Sequence, residues 1–193
     1  MKLFKQLKSL FGETSSSSLE NELNSIFPYI VPKSYLEIGG INIQTLIADE
    51  LYVTLVKHKN DLATSLAESD LDKLGLSKGE AFDLAKINLQ NALKEREINI
   101  TMFHLENIPF ILFSDSWLSA SCLLVPEIEK LLNENMVYVS IPHRDAMVMF
   151  PVVDGNKTQE FKKMIKEREG NGIKPLTFEL FEVSKSEIKV VKQ

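Results

Sequence analysis

Apolar positions recur along the chain in two periods, one near 3.6 residues and one of two. The clearest helical stretch carries Ala81, Leu84, Ala85, Asn88, Leu89, Ala92 and Leu93 on one face. Ser77 and Glu80 precede it at capping-box spacing, where each side chain satisfies the other residue's backbone N–H. Ser17 and Glu20 repeat that spacing and predict a helix through Leu19, Leu23 and Ile26 that stops before Pro28. Residues 29–48 hold Pro32 and the Gly39–Gly40 pair and predict extended pieces with a turn. Asp115 or Ser116 can cap a third helix through Leu118, Cys122 and Leu123, bending at Pro126 and ending near Leu132. Residues 158–168 predict a short charged helix.

The period of two appears elsewhere. Residues 51–56, 98–105, 110–113, 136–141 and 145–152 read as strands, rich in β-branched and aromatic side chains. Residues 106–109 join one pair, and a tight turn around Pro142, His143 and Arg144 closes another. Residues 176–183 and 187–191 predict a terminal hairpin. Helices mixed with neighbouring strands on short turns imply an α+β fold, a largely antiparallel sheet with helices packed on it. The expected organisation is a single domain over 19–193, preceded by an arm and linker over 1–18.

That arm has its own pattern. Leu3, Phe4, Leu7, Leu10 and Phe11 fall on one helical face, with Lys2, Lys5 and Lys8 off it. No continuous apolar core or small-residue cleavage site marks it as a secretory signal. Residues 14–18 are Thr followed by four serines and read as a polar linker. A basic amphipathic segment on a linker can touch an anionic membrane surface, but three lysines at roughly 1 kcal/mol each give weak, reversible attachment. The plainer expectation is a helix packing its apolar stripe on the domain or on a second copy.

Composition narrows the function classes. The 193 residues carry a formal charge of −5, which disfavours a general nucleic-acid binder. Cys122 is the single cysteine, so neither an internal disulfide nor a multi-cysteine metal site can form. His58, His104 and His143 are far apart, without metal-ligand spacing. His104 shares a strand face with Ile98, Ile100 and Met102, where a half-buried structural histidine is expected. Asp70, Asp72 and Gly75 imitate part of an EF-hand loop, yet Ala81 stands where the bidentate glutamate belongs. They read instead as helix-start residues. No cofactor-binding glycine loop is present, and no metal or cofactor is expected. The expected location is cytoplasmic, and residues 1–12 could add a weak peripheral contact at the inner membrane face.

One group of side chains could support chemistry: Asp115, Ser121, His143, Arg144 and Asp145. Arg144 is one of three arginines, and its fork can hold a carboxylate or phosphate through two parallel hydrogen bonds. His143 could move a proton, Asp145 or Asp115 could orient it, and Ser121 could act as a nucleophile. Asn88 could join a ligand, although a polar amide on an apolar helix face more often ties a neighbouring loop. The structural alternative for residues 142–145 is ordinary turn chemistry, with Arg144 paired to a local acid. Ser121 lacks a glycine-flanked elbow. Cys122 is expected as a buried, unreactive thiol and Trp117 as a core anchor.

Four stretches in order, 48–56, 70–89, 115–131 and 137–150, resemble the uncharacterised YtpQ-like family of bacterial cytosolic proteins. The likeness rests on Leu74 to Ser77 with Ala85, Asn88 and Leu89, on Ala120, Ser121, Leu123 and Leu124, and on Val139, Pro142, Arg144 and Asp145. It implies bacterial origin and a cytosolic location, and supplies no substrate, cofactor or catalytic residue. The expected function is a non-enzymatic binding or interaction module whose partner is another protein or a second copy. The alternative is a hydrolase or small-anion-binding enzyme using Arg144 with His143 and Asp145.

Overall fold

The computed structural model describes residues 13–36, 43–48, 51–60, 62–95, 97–170 and 175–191. Helix α1 (Glu13–Asn24) leads into strand β1 (Ile26–Pro32) and a one-turn helix α2 (Lys33–Leu36). Strands β2 (Gln44–Ala48), β3 (Leu51–Lys59) and β4 (Leu62–Ser65) complete a four-stranded antiparallel sheet. Strand β3 is its spine: β1 pairs along one side, while β2 and β4 share the other. Helices α3 (Glu68–Leu74) and α4 (Lys78–Lys94) follow.

Two departures from the sequence reading fall in this half. Helix α1 begins ahead of the expected Ser17 cap, so residues 14–18 are helical backbone rather than a linker. Serine costs at most about 0.7 kcal/mol per residue against alanine in a helix, little enough for the serines to continue the packed turns at Leu19 and Leu23. The helix also ends before Ile26. The ring of Pro28 pushes Phe27 out of helical conformations, and Ile26, Pro28 and Ile30 then alternate with Phe27, Tyr29 and Val31 on two strand faces. Prolines are tolerated there because β1, among the described residues, has a neighbour on one side only. The amphipathic stripe of residues 1–12 and the Gly39–Gly40 turn lie outside the described residues.

Helix α4 starts as its sequence dictates. Glu80 N donates to Ser77 Oγ at 3.3 Å, while Ser77 N and Oγ donate to Glu80 Oε2 at 2.9 and 2.7 Å. Its inward face joins both cores: Ala81, Leu84 and Ala85 pack with Leu55 and Leu71, and Leu89 and Ala92 pack toward the second sheet. Helix α3 stops at Gly75, whose φ of 66° lies where only glycine is unstrained. Asp70 accepts from Ala67 N at 3.0 Å and so serves the helix start, as expected.

The second sheet has six antiparallel strands in the order β10-β9-β7-β8-β6-β5. These are β5 (Asn99–Leu105), β6 (Ile108–Ser114), β7 (Met136–His143), β8 (Ala146–Pro151), β9 (Leu180–Ser184) and β10 (Ile188–Val190). One face carries Ile111, Phe113, Val137, Val139, Met147, Met149, Phe181 and Val183 into the core shared with α4 and β1. The opposite face presents Phe110, Tyr138, Phe150 and Leu180 to Phe161 and Ile165 of helix α5 (Gly155–Glu169). The α+β class is therefore observed, with the strands divided between two sheets.

The helix expected over 114–132 does not form. Asp115 takes a left-handed backbone (φ 61°), and two short 3-10 segments, Ala120–Leu124 and Ile128–Leu132, replace it. Every residue from Leu118 to Leu123 is buried, so the segment has no polar face for an α-helix to turn to solvent. The hairpin turn also shifts by one residue. Pro142 and His143 belong to β7, His143 pairs with Ala146, and Arg144–Asp145 form the two-residue turn.

Candidate functional site

A groove of about 850 Å³ opens where the outer face of the first sheet meets the tip of the β7–β8 hairpin. The alternation of β1 and β3 sends Tyr29, Val56 and His58 to this face. Tyr35 comes from α2, Ala63 and Ser65 from β4, and Asp115 to Trp117 from the turn after β6. Arg144 and Asp145 close it from the second sheet. Ala120 N donates to the Arg144 carbonyl at 3.0 Å, anchoring the hairpin tip to the first 3-10 segment.

Arg144 is half-buried, with its guanidinium carbon 4.5 Å from the Tyr29 ring centroid and 5.9 Å from that of Tyr35. Stacking on aromatic faces suits guanidinium and leaves its N–H edges free for in-plane acceptors. Its Nε is buried without a hydrogen-bond partner, and among the described residues no ion pair reaches Arg144. The local salt bridge considered for this turn is thus not made. Burial pushes the Tyr29 hydroxyl above its ordinary pKa, with the charge of Arg144 opposing it.

Trp117 is the other wall. Its ring stacks on His58 with centroids 4.3 Å apart and meets Phe27 edge-on at 5.4 Å. It is half-buried, anchoring the core on one side and lining the groove on the other. Asp115 stands at the rim and accepts from Asn99 Nδ2 at 3.1 Å and Ser114 Oγ at 3.0 Å. Those two hydrogen bonds hold its carboxyl below the usual range. Asp145 is exposed nearby. The lining therefore carries one guanidinium, two carboxylates and a set of flat aromatic faces.

Three of the five candidates from the sequence meet here: Asp115, Arg144 and Asp145. Ser121 and His143 do not line the groove. Ser121 is buried in the first 3-10 segment. His143 is buried at the end of β7, its Nε2 3.3 Å from Glu169 Oε2 on α5 but too poorly aligned for a hydrogen bond. His143 still belongs to β7, which directs it toward Glu169 of α5, whereas Arg144 and Asp145 form the turn beyond it and reach the groove. Asn88 lies elsewhere again. Its Nδ2 donates at 2.8 Å to the carbonyls of both Leu23 and Ile26, tying the α1–β1 junction to α4. Its donor capacity is taken up by that tie, which removes it from the binding set.

Tyr29, Tyr35 and His58 went unmarked by sequence reasoning. The strand alternation of β1 and β3 does place Tyr29 and His58 on one face, but nothing local joins that face to Arg144, more than 80 residues on. A second groove of about 780 Å³, walled in part by Pro32, Ala48, Leu51, Leu176, Phe181 and Val190, holds none of the candidates. Among the described residues no group of three or more His, Cys, Asp or Glu side chains could hold a metal, and no helix is long and apolar enough to cross a membrane.

Compared with known proteins, the chain matches no family model, no curated protein and no solved structure. The YtpQ-like resemblance rests on its four stretches alone.

Proposed function

We propose that this protein is a binding module without catalytic chemistry at the Arg144 groove, and that the groove takes a carboxylate presented by a peptide segment of a protein partner. The observation that carries this reading is the Arg144 guanidinium, stacked on Tyr29 and lacking an acidic partner. A guanidinium desolvated in this way gains most from a bidentate carboxylate. Asp115 and Asp145 beside it disfavour a multiply charged phosphate and favour a ligand that brings a donor or cation with its anion. Trp117, His58 and Tyr29 offer apolar area to the intervening part of such a segment. The hydrolase alternative needs His143 or Ser121 beside Arg144, and their placement outside the groove weighs against it.

Thermal-shift measurements with acetylated acidic tripeptides, aryl carboxylates and inorganic phosphate test the reading. A carboxylate probe is expected to raise Tm, because it binds only the folded chain. The shift should vanish in Arg144→Ala and be small in Arg144→Lys, which cannot form the fork. Phosphate stabilising more strongly than any carboxylate, or carboxylate shifts that persist in Arg144→Ala, would overturn it.

A further inference from the structure

Strand β5 ends the six-stranded sheet and has no neighbour beyond it among the described residues. Its seven residues, Asn99 to Leu105, include no Asp, Glu, Lys, Arg or Pro. Such residues are the usual guards of a sheet edge. The opposite edge, β10, has only three residues and carries Lys189 paired to Glu182. On β5, Ile100 and Met102 are 43% and 56% exposed, and they extend the inner apolar face of the sheet past its cover. Phe103, stacked on Phe110, does the same on the other face.

The hairpin geometry says which backbone groups are free. Glu106 and Asn107, both at positive φ, form a two-residue turn, and Leu105 pairs with Ile108 across it. That closing pair is hydrogen-bonded in such a hairpin, so Leu105, Phe103, Thr101 and Asn99 direct N–H and C=O toward β6. Ile100, Met102 and His104 direct theirs off the sheet. The edge thus offers a row of alternating donors and acceptors that only another extended strand can satisfy together.

We infer that this strand is a self-association site, where β5 of a second copy pairs antiparallel about a two-fold axis at Met102. Centred there, Met102 faces Met102 as a hydrogen-bonded pair, and Ile100 faces His104 in both directions. The register satisfies the free groups of all three residues at once. It brings no like charges together, although the chain as a whole is acidic. The exposed Ile100 and Met102 of both copies then cover one another, and two sheets become one continuous sheet. A two-fold contact of this kind closes on itself and stops at the dimer. The surface paired is small, so the dimer is concentration-dependent.

Sedimentation equilibrium of the full chain from nanomolar to high micromolar concentration is the test. The weight-average mass should rise from 21.9 kDa toward twice that value. Met102→Lys, at an exposed position, should stay monomeric, with the circular dichroism and Tm of the dilute, monomeric wild type. Met102→Cys should form an intermolecular disulfide on mild oxidation, since Cα atoms of a hydrogen-bonded antiparallel pair stand ~5.5 Å apart. The buried Cys122 leaves that reaction without competition. A wild-type chain that stays monomeric throughout, or a dimer that survives Met102→Lys, overturns the inference. Neither outcome bears on the Arg144 groove, whose lining excludes β5.

Discussion

Asn88 and Arg144 are both polar groups drawn into the interior, and they differ in what they meet there. Asn88 meets two main-chain carbonyls, at the end of α1 and the start of β1, and donates to both. Asn88→Ala should therefore cost about 2–3 kcal/mol in urea unfolding, because it strands both acceptors. Arg144 meets aromatic rings and, among the described residues, no acid, and its buried Nε is left without a partner, which keeps that edge open to a ligand. The sequence made the first legible: an amide on an apolar helix face must be tied to something. It also singled out Arg144 by its rarity among 19 lysines. The rings around Arg144 were not legible, since their convergence is set by the docking of one sheet on another. Glu80 shows a third case. The Ser77 hydroxyl and N–H depress its carboxyl pKa. The folded value being the lower one, this stabilisation is present above the unfolded pKa and is lost as pH falls through the depressed folded value. The Tm gap between wild type and Glu80→Gln should hold steady near neutral pH and close in acid.

Elements followed the sequence wherever one face was apolar and the other polar. Helix α4 has that contrast and forms where its period predicts, whereas β6, β7 and β8 are covered on both faces and were legible from their β-branched and aromatic content. The expected third helix failed for the opposite reason, since a run buried on all sides carries no signal of its winding. Strand β5 is a subtler miss. Its alternation is that of a half-buried strand, with His104 expected under partial cover, yet its position at the edge leaves His104 exposed. Position within a sheet is a property of strand order, which local pattern does not encode. Helix α5 can be tested as an element. Phe161 is buried and meets both Phe110 and Phe150 edge-to-face, with centroids 5.1 and 5.4 Å apart. Phe161→Ala should cost about 3–5 kcal/mol and loosen the outer face of the six-stranded sheet, read by near-ultraviolet circular dichroism.

At the scale of the molecule, the two sheets are joined through α4 and the 3-10 segment Ala120–Leu124, and Cys122 sits in that joint. It is fully buried, its Sγ 3.7 Å from the Leu118 carbonyl, and burial pushes the thiol pKa up to about 12. A reagent can reach this sulfur only when the seam between the sheets parts, and the thiolate it needs is scarce until then. Under excess alkylating agent, the labelling rate therefore becomes a stopwatch for that parting. The prediction is that labelling of the native chain is slow, accelerates with urea in step with unfolding, and is retarded by any compound gripping the folded state. The lone thiol lets the chain report on its own opening, and on any compound that holds it shut.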